Sequence, residues 1–327
     1  MDRRAFLGTL AGGLLAAPLA AEAQPAGRVP VVGILNSAVG PRSDTVASLR
    51  QNLRELGYVE GQNITLEVRF AGGRVEALPA LATELAQRHV DVLVAIGPAV
   101  LKATSVATNV IPIVAFDLET DPVQGGYIQS LAHPGGNITG LFLDLPELTG
   151  KWFDLVKEVA PTVRRVALVW DTATGPWQVA AAKAAAQRIG IDLQVLEVAR
   201  LGDLDLVLRA GVKGGSQALV ELSSPLLNRD ASEARVATFA IKHHLPTTSM
   251  FRTFVTRGGL LAYGPNRQQY DLRLATYVDR ILKGAKPAEL PIEQPTTFEL
   301  VINLKTAKAL GLTIPPSLLQ RADQVIE

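Results

Sequence analysis

The chain has 327 residues, 48% of them hydrophobic, and sets 32 Lys and Arg against 31 Asp and Glu for a net charge of +1. Near-neutrality supplies no field to recruit a polyanion such as nucleic acid, and the apolar fraction is too high for a disordered chain. With no cysteine, disulfides, thiolate metal sites and Cys nucleophiles are excluded, so burial must hold the fold together.

The N-terminus reads as an export signal. Arg3 and Arg4 precede the apolar run TLAGGLLAAPLA, which breaks at Ala21, Glu22 and Ala23, the small-x-small pattern that a signal peptidase cleaves. The run is shorter than the roughly 20 apolar residues of a membrane span and carries Gly12, Gly13 and Pro18. Residues 1–23 are therefore expected to be removed on export to a periplasm. The paired arginines resemble the twin-arginine signal, with the Sec route as the alternative. No Cys stands at the cleavage point, so a lipoprotein anchor is excluded.

Apolar runs of strand length follow at 29–35, 64–70, 90–97, 111–116, 165–170, 193–198 and 217–223. Several are apolar on consecutive residues, which suits strands covered on both faces in a parallel sheet. Between them, residues 43–56 space Val46, Leu49, Leu53 and Leu56 by three and four, ahead of Gly57 at a C-terminal capping position. Residues 76–88 and 176–189 read likewise as helices, the second ending at Gly190. The alternation predicts an α/β class.

The order then repeats. NLRELGYVEGQNITLEV (52–68) and AAQRIGIDLQVLEV (185–198) are each a helix end, a Gly and a strand. Upstream of each, a strand ends in a polar pair, Asn36 with Ser37 and Asp171 with Thr172. Downstream, each leads to a strand ending in a turn, Gly97 with Pro98 and Ser224 with Pro225. Such self-similarity predicts two copies of one β-α-β-α-β unit, hence two Rossmann-like lobes. Ligands of open α/β sheets sit beyond the carboxyl ends of the strands, so two facing lobes would line one cleft and close by hinge motion.

No nucleophile elbow, P-loop, HExxH or EF-hand pattern is present, and the adjacent His243 and His244 have the wrong spacing for metal ligands on a helix. No metal or cofactor is expected. HPGGNITG (133–140) reads as a turn after a helical segment. Asp117, Glu119 and Asp121 crowd the end of IPIVAF, and Asp171 ends RVALVW. Asp121 before Pro122 suits an N-cap, whereas Asp117 and Asp171 suit the cleft, where a carboxylate could receive an ammonium group. Trp170, Phe251 and Tyr263 are candidates to flank an apolar or aromatic ligand, with core packing as the alternative.

VGIL (32–35), ELGYVEGQNITLE (55–67), ALPALATELAQRHVDVLVA (77–95), IPIVAF (111–116), TDPVQGGYIQSLAHPGGNITG (120–140), LLAYGPN (260–266) and residues 281–327 together resemble the tryptophan/tyrosine-type ABC transporter substrate-binding proteins, which have the type I periplasmic binding fold. The resemblance implies parallel sheets flanked by helices and three inter-lobe crossovers, near Leu143 to Pro146, near Leu260 to Tyr263, and in KPAELPIEQP (286–295). It divides the chain into a first lobe of 28–145 with 263–290 and a second of 146–262 with 291–327. It implies a non-enzymatic receptor that closes on one small solute, of amino acid or aromatic or organic acid type. The receptor would act as a monomer and hand that solute to an inner-membrane permease driven by a cytoplasmic ATPase. By position, the cleft loops fall on Asn36, Ser37, Gly97, Pro98, Asp117, Trp170, Asp171, Thr172, Ser223, Ser224 and Phe251, with Tyr263 a further candidate. Leu118 and Glu119 fill a loop that is often small and neutral, and Trp170 stands where Tyr is common, which argues against a plain aromatic amino acid. A periplasmic sensor on the same fold is the alternative. An exported hydrolase using Asp117 with Asp171 lacks a nucleophile or metal constellation. A DNA-binding regulator lacks room for a headpiece before the first strand.

Overall fold

The structure, a computed structural model, describes residues 28–37 and 44–327. The export signal at 1–23 and the first residue of the predicted 43–56 helix lie outside the described residues.

The first sheet takes its strands in the order β2-β1-β3-β4-β5, all parallel. The chain runs β1 (Val31–Asn36), α1 (Asp44–Glu55), β2 (Thr65–Phe70), α2 (Leu78–Gln87), β3 (Val92–Ile96), α3 (Pro98–Ala107), β4 (Ile113–Phe116) and β5 (Ile138–Leu141). β3 shows why the consecutive apolar residues matter. Val92, Val94 and Ile96 enter one core, while Leu93 and Ala95 enter the core on the opposite face. A strand with helices on both sides has no face left for polar side chains. α1 buries Val46, Leu49 and Leu53, but Leu56 is 38% exposed, because the helix stops at Glu55 and the predicted last member of its stripe lies past the end.

The second sheet repeats that order. After α4 (Leu145–Val159) come β6 (Arg165–Asp171), α5 (Trp177–Ile189), β7 (Asp192–Val198), α6 (Leu204–Lys213), β8 (Ala218–Glu221), α7 (Asp230–Lys242), β9 (Thr247–Ser249), α8 (Arg252–Thr256) and β10 (Leu261–Pro265). Its sequence β7-β6-β8-β9-β10 matches β2-β1-β3-β4-β5 strand for strand, so the echo read from the sequence is a repeated topology. Asn36 and Asp171 therefore end equivalent strands. Gly190 ends α5 in the left-handed region at φ 74, where glycine avoids the Cβ penalty.

Past the repeat, α9 (Arg267–Leu282) returns to the first lobe. β11 (Phe298–Asn303), α10 (Leu304–Ala309), α11 (Pro316–Arg321) and β12 (Gln324–Ile326) then complete the second. β11 runs antiparallel to β10, the one departure from parallel pairing in either sheet among the described residues. α9 docks on the first lobe through Tyr270, whose hydroxyl donates to the Phe142 carbonyl, and through Tyr58, whose hydroxyl donates to Asp279.

The crossovers are pinned. At the first, the Asp144 side chain accepts from Glu147 N and caps α4, which fixes the chain's entry angle. The second differs from the sequence expectation. Leu260 to Tyr263 do not cross, since β10 holds residues 261–265 in the second sheet, and the chain leaves at Asn266, whose side chain caps α9. In the third, Glu293 lies against β5: its N donates to the Gly140 carbonyl, Phe142 N donates to its carbonyl, and its carboxylate pairs with Arg273 at 2.6 Å. Residues 291–293 thus run along the first lobe, and the return to the second follows them. HPGGNITG is corrected as well: turns rather than a helix precede it, and its last residues form β5. No helix among the described residues is long and apolar enough to cross a membrane.

Candidate functional site

The carboxyl ends of both sheets meet. From the first lobe come Asn36 and Ser37 after β1, Gly97 and Pro98 at the start of α3, and Asp117 after β4. From the second come Trp170 and Asp171 ending β6, Thr172 beyond them, Ser223 and Ser224 after β8, and Phe251 after β9. Asn36, Ser37, Asp117, Asp171, Ser223, Ser224 and Phe251 are all buried, although each ends a strand where a lone lobe would expose it.

A hydrogen bond joins the lobes. Ser223 Oγ donates to Glu119 Oε1 at 2.7 Å. Ser223 is in turn held by two amides of its own lobe: Asn228 Nδ2 donates to its Oγ at 3.0 Å, and Gln178 Nε2 donates to its carbonyl at 2.8 Å. On the facing loop, Asp117 Oδ1 accepts from the backbone N of Glu119 and of Thr120, a turn that brings Glu119 toward the second lobe. Two further features span the gap. The Arg267 guanidinium lies 5.4 Å from the Phe116 ring centroid and 5.3 Å from that of Phe251. A groove of about 700 Å³ opens between Pro98, Lys102 and Thr120 on one side and Thr172, Thr174 and Trp177 on the other. The jaws are therefore shut.

Closure concentrates acid. Burial, then the neighbouring Asp117, holds the Glu119 carboxyl well above the usual range, and Asp171 adds to the effect from across the cleft. Burial likewise raises Asp117 and Asp171. In low dielectric the charged form is disfavoured, and each like charge compounds the penalty. Asp171 also accepts from Ala173 N, so it both caps the turn after β6 and faces the cleft.

The remaining candidates sit differently. The Trp170 indole N donates to Thr174 Oγ1 and braces the loop from behind. Tyr263 stacks on Phe298 at 5.6 Å, under Lys151, and is not drawn into the cluster around Ser223. Glu119, Gln178 and Asn228 are members of that cluster that strand-end reasoning passed over. The sequence signals for Glu119 were the crowding of acids after IPIVAF and its place in a loop that is often small and neutral. A second acidic pair lies inside the second lobe: burial holds Glu221, on β8, well above its ordinary value and lifts Glu233, on α7, to about 7.

Comparison with known proteins places this geometry. A tyrosine-binding protein of Clostridioides difficile is 23% identical over 273 residues, which cover 80% of this chain and 74% of that protein. A conserved domain protein from Vibrio cholerae is similar in structure at a TM-score of 0.82 and 26% identity, over 91% of this chain and 100% of that one. A Streptococcus ABC domain in complex with L-Trp matches at 0.82 and 23% identity, over 91% and 99% of the two chains. The ligand-free, open form of a Clostridium difficile substrate-binding protein with adhesive properties matches at 0.65 and 23%, over the same shares. Residues 32–326 match the family described as ABC transporter substrate binding protein. That match spans most of the chain, and the chain belongs to the ABC transporter substrate-binding proteins.

Proposed function

We propose that this chain is the solute receptor of an ABC importer, exported to the periplasm behind its cleaved N-terminal segment and acting there as a monomer. It captures one small solute of amino acid or aromatic or organic acid type between its lobes. It then presents the closed form to an inner-membrane permease driven by a cytoplasmic ATPase. The Ser223–Glu119 hydrogen bond carries this reading, because it links strand-end loops of opposite lobes. A contact of that kind makes the cleft a closing device rather than a fixed pocket. The tyrosine-binding relative and the L-Trp complex support a solute of amino acid size.

A thermal-shift screen of the purified mature chain against amino acids, aromatic acids and nucleobases tests the reading, since a ligand that binds only the native state raises its melting point. One solute per chain is expected to bind, with a change in fluorescence from Trp170 and Trp177, which flank the cleft loop of the second lobe. Turnover of a substrate with no stabilising solute would contradict it.

A further inference from the structure

We propose that the solute captured in this cleft carries a cationic nitrogen head, an ammonium, amidinium or guanidinium group, seated among Asp117, Glu119, Gln178 and Asn228, with an apolar body lying outward in the groove beside Trp177. The proposal rests on the receptor reading and narrows its solute to one of net positive charge.

The first support is an imbalance of hydrogen-bonding groups. Asp117 Oδ2, Gln178 Oε1 and Asn228 Oδ1 are buried without a partner, and all three are acceptors. Rotating the amides does not relieve this. Gln178 Nε2 is committed to the Ser223 carbonyl, which only accepts, and Asn228 Nδ2 is committed to Ser223 Oγ when Glu119 is ionised and takes the Ser223 proton. The amide oxygens must therefore face away from Ser223. A buried acceptor left unmade is costly, and the groups that satisfy several at once are those with many N–H bonds, as an ammonium or a guanidinium has. An anionic head would meet oxygen lone pairs.

The second support is charge. Asp117 and Glu119 from one lobe and Asp171 from the other are brought together by closure, and among the described residues no Lys or Arg forms an ion pair with any of them. Arg229 acts on Asp171 only from a distance. Arg267, between the Phe116 and Phe251 rings, is already paired with Asp271. Ionised carboxyls from facing halves oppose closure unless protons or a positive charge enter between them, and a cationic head supplies that charge. The third support is the groove, two of whose lining residues, Thr120 and Thr174, bond to members of the cluster. Thr120 donates its backbone N to Asp117, and Thr174 Oγ1 accepts from Gln178. Leu78, Ala103, Val106, Pro176 and Trp177 give its walls an apolar surface, which suits an aryl or alkyl body.

Titration calorimetry of the mature chain with ring-matched probes separates the possibilities: tyramine as cation, L-tyrosine as zwitterion and 4-hydroxyphenylacetate as anion, with agmatine as a guanidinium lacking a ring. At least one of the two cations is expected to bind at least 10-fold more tightly than the zwitterion or the anion. Its affinity is expected to rise several-fold from pH 5.5 to pH 8, because protons compete with it for Asp117, Glu119 and Asp171. Lys102 and Arg229 also stand near the cluster, as do Tyr127 and Tyr270, whose hydroxyls burial pushes up so that they stay neutral in that window. Glu119→Gln is expected to weaken the cation at least 10-fold without lowering the melting point of the ligand-free chain, since it keeps a partner for Ser223 and removes a buried charge. Tighter binding of the zwitterion or the anion, accompanied by closure in small-angle scattering, would overturn the cationic head and leave the receptor reading standing. Unchanged cation affinity in Glu119→Gln would also overturn it. Binding by none of the four would overturn it too, and the receptor reading would then be decided by the wider solute screen.

Discussion

Gly140→Ala is expected to destabilise the chain by about 3 kcal/mol or more, at the severe end of overpacking. Gly140 lies in β5 at φ 135, and a β-carbon there would stand 2.1 Å from the carbonyl oxygen and 2.6 Å from the backbone N of Ala115. Ala115 is its register partner on β4, so the colliding atoms are the ladder itself and cannot turn aside as a flexible side chain could. The Gly140 carbonyl also receives the Glu293 N–H at 2.9 Å. Any shift of β5 is therefore passed to the third connector. Gly61→Ala is the control. It has a similar need for positive φ, 83, but open space around the added carbon, and should cost only the backbone term of about 1–2 kcal/mol. Thermal denaturation of both variants checks the contrast, and equal melting points would contradict it.

Trp152→Ala is expected to cost about 3–5 kcal/mol, the range for removing a large buried aromatic. Trp152 sits on α4, 1% exposed, in the core between α4 and the second sheet. Its indole N donates to the Tyr263 carbonyl at 2.7 Å, close to where the chain leaves β10 for the second crossover. Two losses combine in the alanine variant: a cavity the size of an indole, and a carbonyl stripped of its donor. Trp152→Phe fills most of the cavity and gives up only the hydrogen bond, so its cost should be nearer 1–2 kcal/mol. Urea denaturation separates them. An alanine variant within about 1 kcal/mol of the parent would show that this indole does not fasten α4 to the second sheet.

Much of the architecture was legible because one physical rule governs it. A strand covered by helices on both faces must be apolar at consecutive positions, as Val92 to Ile96 are, and each predicted run of this kind became a strand. The repeated order was readable because helix-ending glycines mark it. Of the five strands among the described residues that escaped notice, Thr247 to Ser249 are short and polar, Ile138 to Leu141 lie inside a glycine-rich stretch that reads as a turn, Phe298 to Asn303 pair antiparallel, Gln324 to Ile326 are short, and Leu261 to Pro265 were read as a crossover. The cleft was legible to the same extent. Asp117, Asp171 and Ser223 end strands, and sequence places strand ends. Glu119 reaches Ser223 only when the lobes meet, and Gln178 and Asn228 reach it only through the fold of their own lobe, so no local pattern encodes either contact. Tyr263 illustrates the converse, a strand aromatic whose ring Phe298 and Lys151 hold in the second lobe's own packing.

The absence of cysteine from the natural sequence makes the hinge directly measurable. Lys102→Cys on α3 and Lys183→Cys on α5 place two exposed labelling sites on opposite lobes, and electron-electron double resonance between spin labels there reads the separation of the jaws. A broad, longer distance without solute that collapses to one short distance on saturation is the expected result. An identical distance distribution before and after a solute has bound would contradict the closing cleft.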